Sequence, residues 1–165
     1  MMEIEKPKIL LEEQDNGAKA IITVEPLEKG FGITIGNMLR RTLLSSLPGA
    51  AIVGVKIKNV LHEFSTIKGV SEDVPDIILN LKNVAVKTES TDEDFKGTIT
   101  LKKKGAGVVY AKDIDCGDGI SILNPDQFIC TTDDDADLDM TLYIGRGRGF
   151  VPASQTTARS KLSLL

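Results

Sequence analysis

The stretch GNMLRRTLLSSLPG, Gly36 to Gly49, decides how the chain divides. Its apolar residues recur at helical spacing as far as Ser46, and Pro48-Gly49 supplies a stop. At about 100° per residue, Ile35, Met38, Leu39, Thr42, Leu43 and Ser46 form one stripe. That stripe is expected to pack on neighbouring strands. Asn37, Arg40, Arg41 and Leu44 take the opposite face. Arg40 and Leu44 are i,i+4 neighbours, and Arg41 and Leu44 are i,i+3 neighbours. A leucine framed by two arginines on an outward face reads as an anchor for a partner, because arginine is enriched at binding hot spots. The competing reading is an ordinary exposed leucine, which is common and carries no message. The wheel supports both equally.

Upstream, IEKPKILLEE and AKAIITVEPL flank QDNG. Asn16-Gly17 is a hairpin signal, since both residues tolerate positive φ. Two paired strands are predicted, and the helix stripe is expected to lie on them. Gly30, Gly32 and Gly36 in EKGFGITIG suggest a tight turn into the helix. Downstream, AIVGVKIKNV alternates, with Val53, Val55 and Ile57 on one face and Lys56 and Lys58 on the other, a half-buried strand. SEDVPDIILNLKNV reads as a short helix with Asp73 near the cap and Pro75 in the first turn. VAVKTES, GTITLKKK and DLDMTLYIG read as strands. Strands outnumber helices and are not interleaved with them, so the class is α+β, with a boundary near Pro48-Gly49.

Composition narrows the function. The chain of 165 residues is 41% hydrophobic and only 4% aromatic, so its core is aliphatic. Twenty basic residues against 24 acidic ones leave a net charge of −4. A strong nucleic-acid binder should be basic. That argument leaves open a chain that meets nucleic acid only within an assembly. MMEIEKPKIL carries charge where a signal peptide would carry its apolar region. No run approaches the ~20 apolar residues that span a bilayer. Cys116 and Cys130 lack framework spacing and read as free thiols of a reducing cytoplasm.

Four motifs invite a chemical reading. GFGITIG nearly matches a dinucleotide loop, but Ile35 sits where the third glycine belongs. Asp133, Asp135 and Asp137 alternate as calcium ligands do, yet Leu138 holds the glycine position and Ile144 the glutamate position. A solvated acidic loop is the plainer account. His62 is the sole histidine and supplies no ligand set or triad. Arg146 and Arg148 in GRGRGF share one side of an extended segment. Glycine-arginine repeats contact RNA, though this one is short and the chain acidic. Two other classes therefore stay open: a metal-dependent enzyme using the aspartates, and an RNA-binding module using the two arginines.

Four segments carry a family resemblance: VEPLEKGFGITIGNMLRRTLLSSLPGAAI, VLHEFSTIKGVSEDVPDIILNLKNVAV, AKDIDCGDGISILNPDQFI and GRGRGFVPAS. Together, in order and over nearly the whole chain, they resemble the amino-terminal domain of the bacterial (or plastid) RNA polymerase alpha subunit. The resemblance implies a dimerisation subdomain interrupted by an inserted, mostly β second subdomain. Residues 1–49 would be the first half of the former and 50–165 the insert. The returning half, and the carboxy-terminal DNA-binding domain, are expected to be missing after ARSKLSLL. It also implies a non-catalytic scaffold that dimerises and assembles the beta and beta-prime subunits of a nucleotidyltransferase complex in transcription. It implies no cofactor, no metal and no membrane, DNA contact only through the assembled enzyme, and a cytoplasmic (or plastid stroma) location. By resemblance Arg40, Arg41, Leu44 and His62, Glu63, Phe64, Ser65, Thr66 belong to the beta-docking surface. Lys82 belongs to the beta-prime side, and Ile35, Leu39 and Leu43 to the packing of the dimer helix.

Overall fold

A computed structural model describes residues 6–17 and 19–152. The expectations drawn from MMEIE and from ARSKLSLL lie outside those residues. The fold is α+β, and the chain divides between Ser46 and Leu47 into two compact units.

The first unit opens with β1 (Lys8–Gln14) and β2 (Lys19–Glu25). They pair antiparallel from Lys8↔Glu25 to Gln14↔Lys19, across a single 3-10 turn, Asp15–Gly17. Asp15 and Gly17 take positive φ there. The register puts Ile9, Leu11, Ile22 and Val24 on one side of the ribbon. Helix α1 (Phe31–Ser45) follows, with Gly30 as N-cap at φ 93°. It begins earlier than the glycines suggest, so Gly32 and Gly36 lie within it. No side chain or backbone approaches where a Cβ on either would sit. The helix ends at Ser45 because Leu47 precedes a proline, and the residue before proline is steered out of the helical region. Pro48-Gly49 is therefore the start of a strand and not a turn.

The expected packing of the α1 stripe does not form. No residue of α1 is buried, only Ile35 is half-buried, and Leu39 and Leu43 are exposed along with nearly all of the ribbon. A two-stranded ribbon and one helix offer too little surface to enclose each other's apolar sides. The stripe is thus open along its length.

The second unit is built on a six-stranded sheet. Its strands are β3 (Pro48–Ile57), then β4 (Val86–Thr88) after helix α2 (Val74–Lys82), and β5 (Lys96–Lys104). After β6 (Gly107–Tyr110) come β7 (Ile114–Asp115) and β8 (Ile120–Ile122), then β9 (Phe128–Thr132) and β10 (Asp137–Arg148). The order is β7-β5-β10-β3-β4-β8, every pairing antiparallel, while β6 and β9 form a separate ribbon. Leu138, Met140, Leu142 and Ile144 of β10 point to one face with Ile99 and Leu101 of β5 and Val55 and Ile57 of β3. On that face α2 lies against β3 and β9 and adds Val74, Ile77 and Leu81. The core is aliphatic, as the composition requires.

Val53 departs from the predicted alternation. Tyr143 pairs with Gly54 and Ile144 with Ile52, leaving Val53 as an extra residue in a bulge. One inserted residue inverts the side-chain alternation. Val53 is therefore exposed, while Ile52 takes the inward side. Gly145 faces it across the strands. A Cβ there would lie 3.0 Å from Val53 Cγ1.

The segment before α2 is fastened to β9 mainly through Glu72. Its carboxylate accepts hydrogen bonds from Thr131 N (2.6 Å) and Thr131 Oγ1 (3.2 Å). Ser71 N donates to Thr131 O at 3.0 Å and Asp133 N to Gly69 O at 2.8 Å. Gly69 sits at φ 76°, and a Cβ on it would meet Ala136 Cα and N at 2.8 Å. Gly105 has nearly the same φ, 77°, with nothing near. The two glycines separate backbone strain from close packing. Gly105→Ala should cost about 1–3 kcal/mol for a left-handed residue. Gly69→Ala should cost clearly more, because backbone atoms cannot yield as a side chain does. Urea unfolding of both variants checks this; equal losses would contradict it.

Candidate docking surface

Arg40, Arg41 and Leu44 all lie exposed on α1, and Leu44 is 63% exposed. Among the described residues neither arginine enters an ion pair. Arg41 borders a shallow groove with Thr34, Asn37, Met38, Thr42 and Ser45. Its carbonyl accepts a 2.6 Å hydrogen bond from Ser45 Oγ, which fixes the helix end without using the guanidinium. The early helix start adds a residue that sequence reading missed. Ile33, exposed, falls within about 40° of Arg40 and Leu44 on the wheel. One helix face thus presents Ile33, Asn37, Arg40 and Leu44 to solvent.

His62 to Thr66 form an exposed turn in the second unit. Ser65 N donates to His62 O at 3.1 Å, and Ser65 Oγ lies 3.1 Å from His62 Nδ1. Two bonds across four residues hold the turn, and Phe64 stands on it 79% exposed beside Glu63. An aromatic ring so exposed on a closed turn is suited to insertion into a partner. Lys82 is exposed at the last turn of α2, next to the C-cap Asn83. Ile35, Leu39 and Leu43 run along the uncovered stripe described above.

Arg146, Arg148 and Asp137 are engaged within the second unit. Arg146 Nη1 donates to Ser90 O at 2.7 Å, and Arg148 Nη2 pairs with Glu93 Oε1. Both arginines therefore tie β10 to the acidic loop after β4 and offer little to RNA. Asp137 pairs with Lys58 (3.6 Å) and Lys104 (3.5 Å). Asp133 closes a turn by accepting from Ala136 N at 3.0 Å through its carbonyl. Among the described residues no group of three or more His, Cys, Asp or Glu side chains is set to hold a metal. Nor, among them, is any helix long and apolar enough to cross a membrane.

Cys116 is half-buried and Cys130 fully buried, and both are free thiols. Burial, and then the Asp115 charge, raise the Cys116 thiol. Burial, and then the Glu72 charge, push Cys130 up to about 12. Neither is an activated nucleophile, which needs a depressed value.

Comparisons with known proteins show what the chain is similar to. A family model described as the RNA polymerase Rpb3/RpoA insert domain matches residues 55–165. The chain is 54% identical over 156 residues to the DNA-directed RNA polymerase subunit alpha of Desulfitobacterium hafniense (strain DSM 10664 / DCB-2), covering 94% of this chain and 49% of that one. It is 49% identical over 153 residues to the same subunit of Corynebacterium diphtheriae, covering 93% and 44%. For Alkaliphilus metalliredigens the figures are 47% over 154 residues, 93% and 48%. The chain spans about half the length of these relatives.

Cys130 gives a test by pH. An unfolded thiol ionises near ~8.5. Between that value and about 12 the folded state keeps a proton that the unfolded state gives up. The contribution is whole below the unfolded value and is lost as pH rises through this window. The wild type should therefore lose stability faster than Cys130→Ala above about pH 9, by up to about 1.4 kcal/mol per pH unit. Urea unfolding at stepped pH checks it; parallel slopes would contradict the assignment.

Proposed function

The chain belongs to the family of bacterial RNA polymerase alpha subunits, and from that membership we propose that it is a non-catalytic scaffold of the transcribing enzyme. On this reading it works in the cytoplasm, needs no cofactor, and meets DNA only through the assembled complex. Residues 1 to about 49, the first unit and the opening of β3, act as part of a dimerisation subdomain, and the remainder as its insert. Ile35, Leu39 and Leu43 pack the dimer helix. Arg40, Arg41, Leu44 and the turn from His62 to Thr66 dock the beta subunit, and Lys82 serves the beta-prime side. Ile33 joins the first of these groups.

One observation carries the reading: α1 is a 15-residue helix that buries none of its residues. Isolated helices of this length are marginal in water. Such a helix is best explained by cover from partners. Its two exposed sides also differ in chemistry. The stripe of Ile35, Leu39 and Leu43 is uncharged and mostly apolar and suits a like surface. The Arg40, Arg41 and Leu44 side mixes cations with an apolar anchor and suits an unlike one. A guanidinium can hold a partner carboxylate or carbonyls through two parallel bonds.

Co-purification with the beta subunit tests the assignment. Arg41→Ala should weaken beta binding by about 2 kcal/mol or more while leaving the thermal melt of the chain unchanged. Arg41→Lys should recover part of the loss, since it keeps the charge without the fork. Leu44→Ala should weaken binding with less dependence on salt, because its share is apolar burial. The control is Leu142→Ala in the core, which should cost ~2–5 kcal/mol of stability. Unchanged beta binding in Arg41→Ala, or a lowered melt, would show that the helix face is wrongly assigned.

A further inference from the structure

We infer that the loop from Glu89 to Phe95 is a charge-held strap, a conformational device that sets how firmly the end of β10 is held. Topology puts it there. β3 and β10 are adjacent, β4 lies on the far side of β3 and β5 on the far side of β10, so the connection from β4 to β5 has to cross the ends of both strands. Pro48, where β3 starts, stands opposite Arg148, where β10 ends. Val86 of β4 stands opposite Ala50, so β4 runs out at that same end. The chain therefore enters and leaves the sheet at the end that the loop crosses.

That end of β10 is lightly paired. β5 reaches only to Gly145, opposite Lys96, and among the described residues no strand pairs with Arg146 to Arg148 on that side. On the other side Arg148 faces Pro48, which has no N–H to donate. The two arginines supply what the ladder lacks. Had the β5 register continued, Glu93 would stand opposite Arg148. The chain turns out instead, with Phe95 N donating to Asp92 O at 3.3 Å. The Arg148–Glu93 ion pair makes that contact through side chains. Arg146 Nη1 adds a bond to Ser90 O at 2.7 Å.

The two links differ in kind. Arg146 and Ser90 are half-buried and the acceptor is a backbone carbonyl, so salt weakens this bond little. Arg148 and Glu93 are 53% and 73% exposed, and such a pair is weak and screened. The inner link anchors the strap and the outer one opens and closes it. Glycines at 147 and 149 flank Arg148 and leave the backbone free to change direction there. A closed outer link holds that direction, and an open one releases it.

The test is amide hydrogen exchange of the whole chain with the charges exchanged. Arg148→Glu and Glu93→Arg should each speed exchange about threefold in residues 89–95 and in residues 147–150. The double swap should restore the slower rates, and Met140 to Leu142, paired on both sides, should not respond. Salt near ~1 M should bring the wild type to the rates of the single variants. All of these side chains are exposed, so the variants fold, and the salt series needs no variant. Single variants that exchange as the wild type does, a double swap that restores nothing, or a wild type indifferent to salt would overturn the strap. Faster exchange in the loop with residues 147–150 unchanged would overturn it as well, because the loop would then hold nothing.

Discussion

The pairing of β10 with both β3 and β5 is the interaction on which the second unit depends. β10 pairs with β5 from Asp137 to Gly145 and with β3 from Met140 to Arg148, so its middle, Met140 to Gly145, is held from both sides. Its inward residues Leu138, Met140, Leu142 and Ile144 are at most 1% exposed. Fixing that strand fixes the face on which α2 rests, and so the outward side that carries Lys82. It also carries Arg146 and Arg148 to the acidic loop they hold. The same constraint explains the bulge at Val53. The strand pair absorbs one extra residue without losing its buried face, and Gly145 leaves room for the displaced valine.

The first unit lacks any such centre. Its ribbon and helix leave their apolar sides in solvent, and no part of α1 is buried. A surface of this kind marks an interaction site more often than it marks ordinary exterior. On the function proposed above, the chain acts through faces and not through a cleft. The histidine and the cysteines have structural settings, whereas Arg40, Arg41 and Leu44 stand exposed on α1 and, among the described residues, the two arginines enter no ion pair.

Much of this was legible where one local signal dominated. Asp73, Pro75 and the spacing of Ile77 and Leu81 specify α2, and Asn16-Gly17 specifies a hairpin. Arg41 and Leu44 were readable as an outward pair because the wheel does not depend on tertiary contacts. Other features were hidden for physical reasons. Val53 fits a strict alternation until the register with β10 is known, so a bulge cannot be read from one strand. Ile33 was missed because glycines at 30, 32 and 36 resemble a turn, and only Gly30 takes the left-handed conformation that makes one. Strands β6 to β9 are short and interleaved with turn residues, and their pairing is set by distant partners.

The central claim is that α1 is exposed in order to be covered by the beta subunit. Amide hydrogen exchange of the chain, with and without beta, tests it most directly. The account predicts that residues 31–45, open and weakly held in the free chain, become protected on adding beta, together with the turn from His62 to Thr66. Strands β3, β5 and β10 should exchange at the same slow rate in both samples. Protection that appears only elsewhere, with α1 exchanging as fast with beta as without it, would contradict the account.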